Sequence, residues 1–212
     1  MNFIIKSSVV TLLGVLSMTQ VQAKINNAPE PYTPWHINAS MGLQSTLDAE
    51  AHHGESAIGR LSFEYMPIQY LGVELGIQSG NAMRFTADKE TIDTLGGVGI
   101  EGRIKPMIDV LLTVKSPNIS SALPLYATAK AGVAYRQLQL DRESINDVSQ
   151  TKPEFQAGLG YRANSHLEIT LTYQYLCGGN PKIRANPLTE SGHISNIPIQ
   201  RALLLGLTYT LG

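Results

Sequence analysis

Four groups of residues in this 212-residue chain are of types that could carry chemistry. The run His193-Ile194-Ser195-Asn196 puts a histidine and a serine hydroxyl in one short segment. Nucleophilic chemistry with such a pair also needs a carboxylate to orient the histidine. No acidic residue follows Ser195, and the nearest, Glu190, lies upstream in the same stretch, so the run reads as a polar surface loop. The pair His52-His53, with Asp48, Glu50 and Glu55 around it, has the residue types of a metal site. Adjacent histidines rarely point at one ion, and the set has no fixed scaffold, so this stretch reads as an exposed loop tip. Glu64, Glu74 and Glu154, which share a pattern with arginines and lysines, could form a proton or ion path, but paired structural charges are the preferred reading. Cys177 is the only cysteine, which excludes an internal disulfide, and it reads as an incidental thiol. No catalytic residue, cofactor site or metal site is assigned.

The elements that must position these groups are strands. From Val98 to Val114 the even positions are uncharged and mostly aliphatic, while the odd positions include Glu101, Arg103, Lys105, Asp109 and Thr113. A strand sends successive side chains to opposite faces, so this is one apolar face and one charged face. The same period recurs at seven other places. The eight expected strands are Trp35 to Gln44, Ser56 to Met66, Gln69 to Ser79, a fourth ending near Lys115, Leu123 to Arg136, Glu154 to Arg162, His166 to Leu176, and Ile199 to Leu211. The fourth either starts near Ile104 or is a long strand standing out of the membrane. Its phase is unbroken across Pro106, which argues for continuation through a residue that lacks the donor a central strand needs.

Connections alternate in length. Pro67 to Gln69, Ser116 to Ala122 and Ala163 to Ser165 are short, whereas Leu47 to Glu55, Gly80 to Gly97, Asp141 to Pro153 and Cys177 to Pro198 are longer. Short turns at one end and long loops at the other fit an outer-membrane barrel. The amino terminus agrees with export: Lys6, an apolar stretch from Val9 to Met18, then Val21-Gln22-Ala23, a small-x-small cleavage pattern. This divides the chain into a signal peptide (1–23), a periplasmic amino-terminal segment (24–34) and a barrel domain (35–212). The formal charge of −1 grows one unit more negative without Lys6, so no basic excess points to nucleic acid. Beyond the signal no apolar run is long enough for a transmembrane helix.

Charge placement tests the membrane reading. The apolar faces carry, among others, Leu61, Phe63, Tyr65, Leu71, Val73, Leu75, Ile77, Leu203, Leu205, Leu207 and Tyr209, and the only charge in phase with them is Arg201, at the loop end of the last strand. A lipid-facing charge there costs about 0 to 1 kcal/mol, against about 2 to 4 at the midplane. The opposite face carries Arg60, Glu64, Glu74, Glu101, Arg103, Lys105, Asp109, Lys115, Lys130, Arg136, Glu154, Arg162 and Glu168. These charges could pair almost completely inside a narrow barrel, with glycines such as Gly76, Gly132 and Gly160 making room for the long side chains. Aromatic residues form two rings, Trp35, Tyr65, Tyr161 and Tyr209 at the periplasmic end and Tyr135, Phe155, Tyr173 and Tyr175 at the outer end. The expected fold is an all-β, eight-stranded, antiparallel up-and-down transmembrane barrel with a packed polar interior.

On these residues the chain resembles the small eight-stranded outer-membrane barrels of the OmpA/OmpX type of Gram-negative bacteria. Leu123 to Tyr135 looks like their fifth strand and Phe155-Gln-Ala-Gly-Leu-Gly-Tyr161 like their sixth. The ending Gly206-Leu-Thr-Tyr209-Thr-Leu211 is similar to the signal read by the barrel-assembly machinery. It departs in having Leu204 where a polar residue is usual and Leu211-Gly212 where a terminal aromatic is usual. The resemblance implies a monomeric outer-membrane protein without enzymatic activity, a surface platform with possible adhesion or environmental contacts through its outer loops. Its implied partners are outer-membrane lipid and lipopolysaccharide, the assembly machinery during biogenesis, and an unidentified extracellular ligand. Outer-membrane lipid A deacylases are similar barrels, and against them His193 would be the base, Ser195 the nucleophile and Asn196 an oxyanion partner. Their pattern places the acid on the last strand, where this chain has Leu205 and Leu207. That hydrolase is the alternative reading, and a small passive channel is a second.

Overall fold

A computed structural model describes residues 33–47, 54–85, 100–119, 123–140, 145–181, 183–186 and 191–211. The expected signal peptide, nearly all of the segment 24–34, and the loop tip with Asp48, Glu50, His52 and His53 lie outside the described residues. The strands are β1 (Trp35–Leu47), β2 (Gly54–Ile68), β3 (Leu71–Gln78), β4 (Asn81–Phe85), β5 (Ile100–Ile104), β6 (Met107–Lys115), β7 (Leu125–Leu140), β8 (Ile145–Asn146), β9 (Val148–Arg162), β10 (Leu167–Leu176), β11 (Ile183–Asn186), β12 (Ser191–Ile194) and β13 (Ile199–Thr210). Eight of them close on themselves in the order β1, β2, β3, β6, β7, β9, β10, β13, with every neighbour antiparallel and β13 paired back to β1. No helix among the described residues is long and apolar enough to cross a membrane.

The short connections have local causes. Between β9 and β10, Asn164 Oδ1 accepts from the backbone N–H of His166 and of Leu167, both at 2.8 Å, which fixes a tight turn with an asparagine side chain in place of a backbone carbonyl. Between β6 and β7, Ser116 Oγ accepts from Ala127 N–H at 2.9 Å and donates to Pro117 O at 2.8 Å. The chain end is tied in as well, with Leu211 N–H donating to Trp35 O at 2.9 Å.

At the long-loop end the strands run further than the sequence suggests. β7 and β9 pair without a register shift from Leu125 opposite Tyr161 to Leu138 opposite Val148, so Val148 to Pro153 is strand where a loop was expected. Within the expected loop Gly80 to Gly97, Asn81–Phe85 forms β4 and pairs with β5.

The phase across Pro106 is broken, contrary to the sequence reading. Ile104 faces Leu138 and Ile108 faces Tyr135, so one strand spends an extra residue over the same length of β7. Pro106 has no N–H to offer β7, and the ladder absorbs the gap as a bulge between β5 and β6. Lys105 N–H still donates to Gln137 O at 2.8 Å. One extra residue inverts the alternation: Ile104 and Met107 are buried, at 3% and 2% exposure, while Ile108 is 50% exposed. Arg103 consequently faces outward, not into the lumen.

Below the bulge the two faces separate as expected. Leu61, Phe63, Leu75, Val110, Leu112, Leu171, Leu203 and Leu207 are exposed on the outside, and Arg60, Glu64, Glu74, Asp109, Lys115, Lys130 and Glu168 are buried inside. Trp35 lies 4.3 Å from Tyr65 and 5.1 Å from Phe63, ring centre to centre, at the short-turn end. Tyr175 faces both Phe155 and Arg201 near the other end.

Candidate functional site

The lumen holds two charge clusters, each joining neighbouring strands and strands separated by one or two others. In the first, the Arg60 guanidinium on β2 sits 2.6 Å from Glu74 Oε1 on β3 and donates to Asp109 on β6, at 2.6 and 3.3 Å. Lys130 on β7 reaches over β6 to donate to Glu74 Oε2 at 2.5 Å. In the second, Lys115 on β6 pairs with Glu64 on β2 at 2.9 Å and with Glu168 on β10 at 3.6 Å. Glu168 also accepts from Tyr126 Oη at 2.5 Å and from Arg162 Nε at 3.2 Å. Glycines make this possible: a methyl at Gly76 would strike the Arg60 guanidinium, and one at Gly160 would strike the Tyr126 ring. At Gly132 the obstacle is different, because a methyl would meet the backbone of Val110 on the next strand.

Towards the long loops the interior changes character. Ile58, Ala202 and Leu204 form one buried apolar group, and Met107, Ala134 and Leu176 form another, with Leu138, Ile194 and Ile197 fully buried nearby in sequence and register. Cys177 and Pro198 are both tied to the interior at this end. Arg136, itself fully buried, donates from Nη1 to Pro198 O at 2.9 Å and Gln200 Oε1 at 3.2 Å, and from Nη2 to Cys177 O at 2.6 Å. Gln150 adds a second clasp, donating to Ser195 O at 3.0 Å and accepting from Ile197 N–H at 3.3 Å.

The charges predicted to line the lumen therefore divide. Glu64 and Glu74 are ion-paired, as expected of structural charges. Glu154 is instead held by two amides, Gln156 Nε2 at 2.6 Å and Gln174 Nε2 at 2.7 Å. Arg136 binds backbone carbonyls where a carboxylate was expected. His193 and Ser195 are both exposed, at and just after the end of β12. His193 lies opposite Arg184 on β11 and Asn146 on β8. Among the described residues no carboxylate is hydrogen-bonded or ion-paired to His193; Asp147, next to Asn146, accepts instead from Leu140 N–H at 3.2 Å. The Asn196 amide is spent on Asn180 O and Ser195 Oγ, each at 3.4 Å. No group of three or more metal-ligating side chains occurs among the described residues. Cys177 is a free, half-buried thiol whose carbonyl serves Arg136.

The apolar mouth and the Arg136 clasp were not anticipated. The signal was present at Leu204, an apolar residue on the inward phase between the outward Leu203 and Leu205.

No protein-family model matches this chain, and no curated protein matches its sequence. Its fold, in contrast, is shared with solved structures. The outer membrane protein OprG from Pseudomonas aeruginosa superposes with a TM-score of 0.58 at 11% identity, covering 85% of this chain and 98% of its own. Neisserial surface protein A gives 0.55 at 11% identity, with 84% and 97% covered. The attachment invasion locus protein Ail of Yersinia pestis, in complex with the heparin analogue sucrose octasulfate, gives 0.51 at 13% identity, with 85% and 100% covered. With a closed ring of eight antiparallel strands, an apolar exterior between aromatic rings and a charged interior, this chain has the fold of the small eight-stranded outer-membrane β-barrels.

Proposed function

We propose that this protein is an integral outer-membrane barrel whose closed lumen serves as a rigid support and whose long loops are the working surface, in adhesion or contact with the environment. The observation that carries this reading is the filled interior: ion pairs span the middle, and buried apolar residues beside the Arg136 clasp fill the part nearer the long loops. A barrel filled in this way conducts nothing, so its contacts with the environment must be made at its ends. The lipid-facing belt takes outer-membrane lipid and lipopolysaccharide, with Arg201 at the rim above the Tyr175 ring, 5.6 Å from its centre. In this reading the protein acts as a monomer and not as an enzyme, in keeping with the exposed His193, which has no carboxylate partner among the described residues.

The test is reconstitution of the refolded chain in liposomes, with a heat-modifiable gel shift, single-channel recording, mass analysis of added lipid A, and binding to heparin as a sulfated-polysaccharide probe. The expected result is an inserted, shifted band, no conductance and unchanged lipid A, with heparin binding that is lost when the exposed loops are shaved by protease. Loss of an acyl chain, abolished by Ser195→Ala, would replace this reading with the hydrolase. Steady conductance would replace it with the channel.

A further inference from the structure

A cavity of about 10 Å³ lies inside the barrel and is lined by members of both charge clusters, Glu64 and Lys115 from one and Lys130 from the other, together with Asn38, Thr128 and Thr172. Three oxygens of these lining residues, Asn38 Oδ1, Glu64 Oε1 and Thr128 Oγ1, are buried and have no hydrogen-bond partner within the protein. Lys130 Nζ carries three protons, and Glu74 Oε2 takes one of them. The wall thus offers both acceptors and donors in a space about the size of a single water, and a buried water typically makes two to four hydrogen bonds.

We propose that this cavity is a binding site for one water molecule, which donates to Glu64 Oε1 and Asn38 Oδ1, accepts from Lys130, and joins the two charge clusters into one network. Charge selects for a neutral occupant. A cation would face the ammonium groups of Lys115 and Lys130, and an anion would face the Glu64 carboxylate and the Asn38 carbonyl. The polar wall disfavours an apolar guest, and the volume excludes anything larger. The site is independent of what the loops bind, so failure of the heparin experiment leaves it untouched.

The experiment is ¹⁷O relaxation dispersion of solvent water over the refolded full chain in micelles, which reports whole water molecules and is blind to exchanging hydroxyl protons. The native protein should hold at least one long-lived water, and Thr172→Ile, which fills the cavity, should hold one fewer with its heat-modifiable shift intact. Thr128→Ile, at another residue that lines the cavity, provides a second filler. A native protein with no long-lived water overturns the proposal, whatever the variants do. So does a count that stays the same in a folded variant of either kind.

Discussion

The middle of the lumen and its outer mouth are filled by opposite chemistries on the same eight strands. In the middle, Arg60, Glu74, Lys115 and Lys130 are each ion-paired with a partner on another strand; at the mouth, leucine, isoleucine and methionine turn inward, Arg136 donates to carbonyls and Glu154 accepts from amides. The difference teaches that a narrow barrel can be sealed in two ways. Ion pairs seal by direction, since each needs its partner in place. Apolar packing seals by volume, and tolerates exchange as long as the space stays full.

The comparison breaks hardest at Glu74, which holds Arg60 and Lys130 together. Glu74→Ala leaves two buried cations short of a partner and should cost about 3 to 5 kcal/mol, read as a lower urea midpoint of the liposome-inserted protein. Leu138→Ala in the mouth removes a fully buried side chain and should cost about 3 kcal/mol in the same assay. If the cap were wet and loosely packed, that loss would fall below 1 kcal/mol on the order expected for exposed sites. Arg136→Met keeps much of the volume and removes the clasp; a loss of about 2 kcal/mol is expected from its charged hydrogen bonds. Its sharper signature is protease cleavage between Cys177 and Pro198 while the heat-modifiable shift persists. Arg201→Ala, outside and at the rim, should change stability by about 1 kcal/mol or less. A larger effect there would mean that the rim, and not the interior, governs stability.

Much of the barrel could be read from residue order alone, because lipid and lumen impose a period of two and forbid charge on one side. That rule placed Leu61, Leu75, Leu171 and Leu207 outside and Glu64, Lys115 and Glu168 inside. It failed wherever apolar no longer meant outside. Gly102 and Ile104 turn inward above Pro106 because a bulge shifts the count by one, and a bulge leaves no mark on composition. Leu204 is inside beside Ile58 of β2 and Ala202, and Ile58 is distant in sequence. The same limit applies to the candidate site. That no acidic residue follows Ser195 could be read directly, but two of the three partners of Arg136 are backbone carbonyls, which every residue possesses and no motif announces.

The pairings inside the lumen reach across strands that are not neighbours, Arg60 on β2 to Asp109 on β6, Lys130 on β7 to Glu74 on β3, Tyr126 on β7 to Glu168 on β10. None of these bonds can exist in a lone hairpin, because each crosses one intervening strand and needs three strands side by side. These charges therefore stay hydrated until a third strand has docked, and Lys115 on β6, which reaches Glu168 on β10 past β7 and β9, waits for a fourth, so the polar interior is committed in steps as strands are added and not one hairpin at a time.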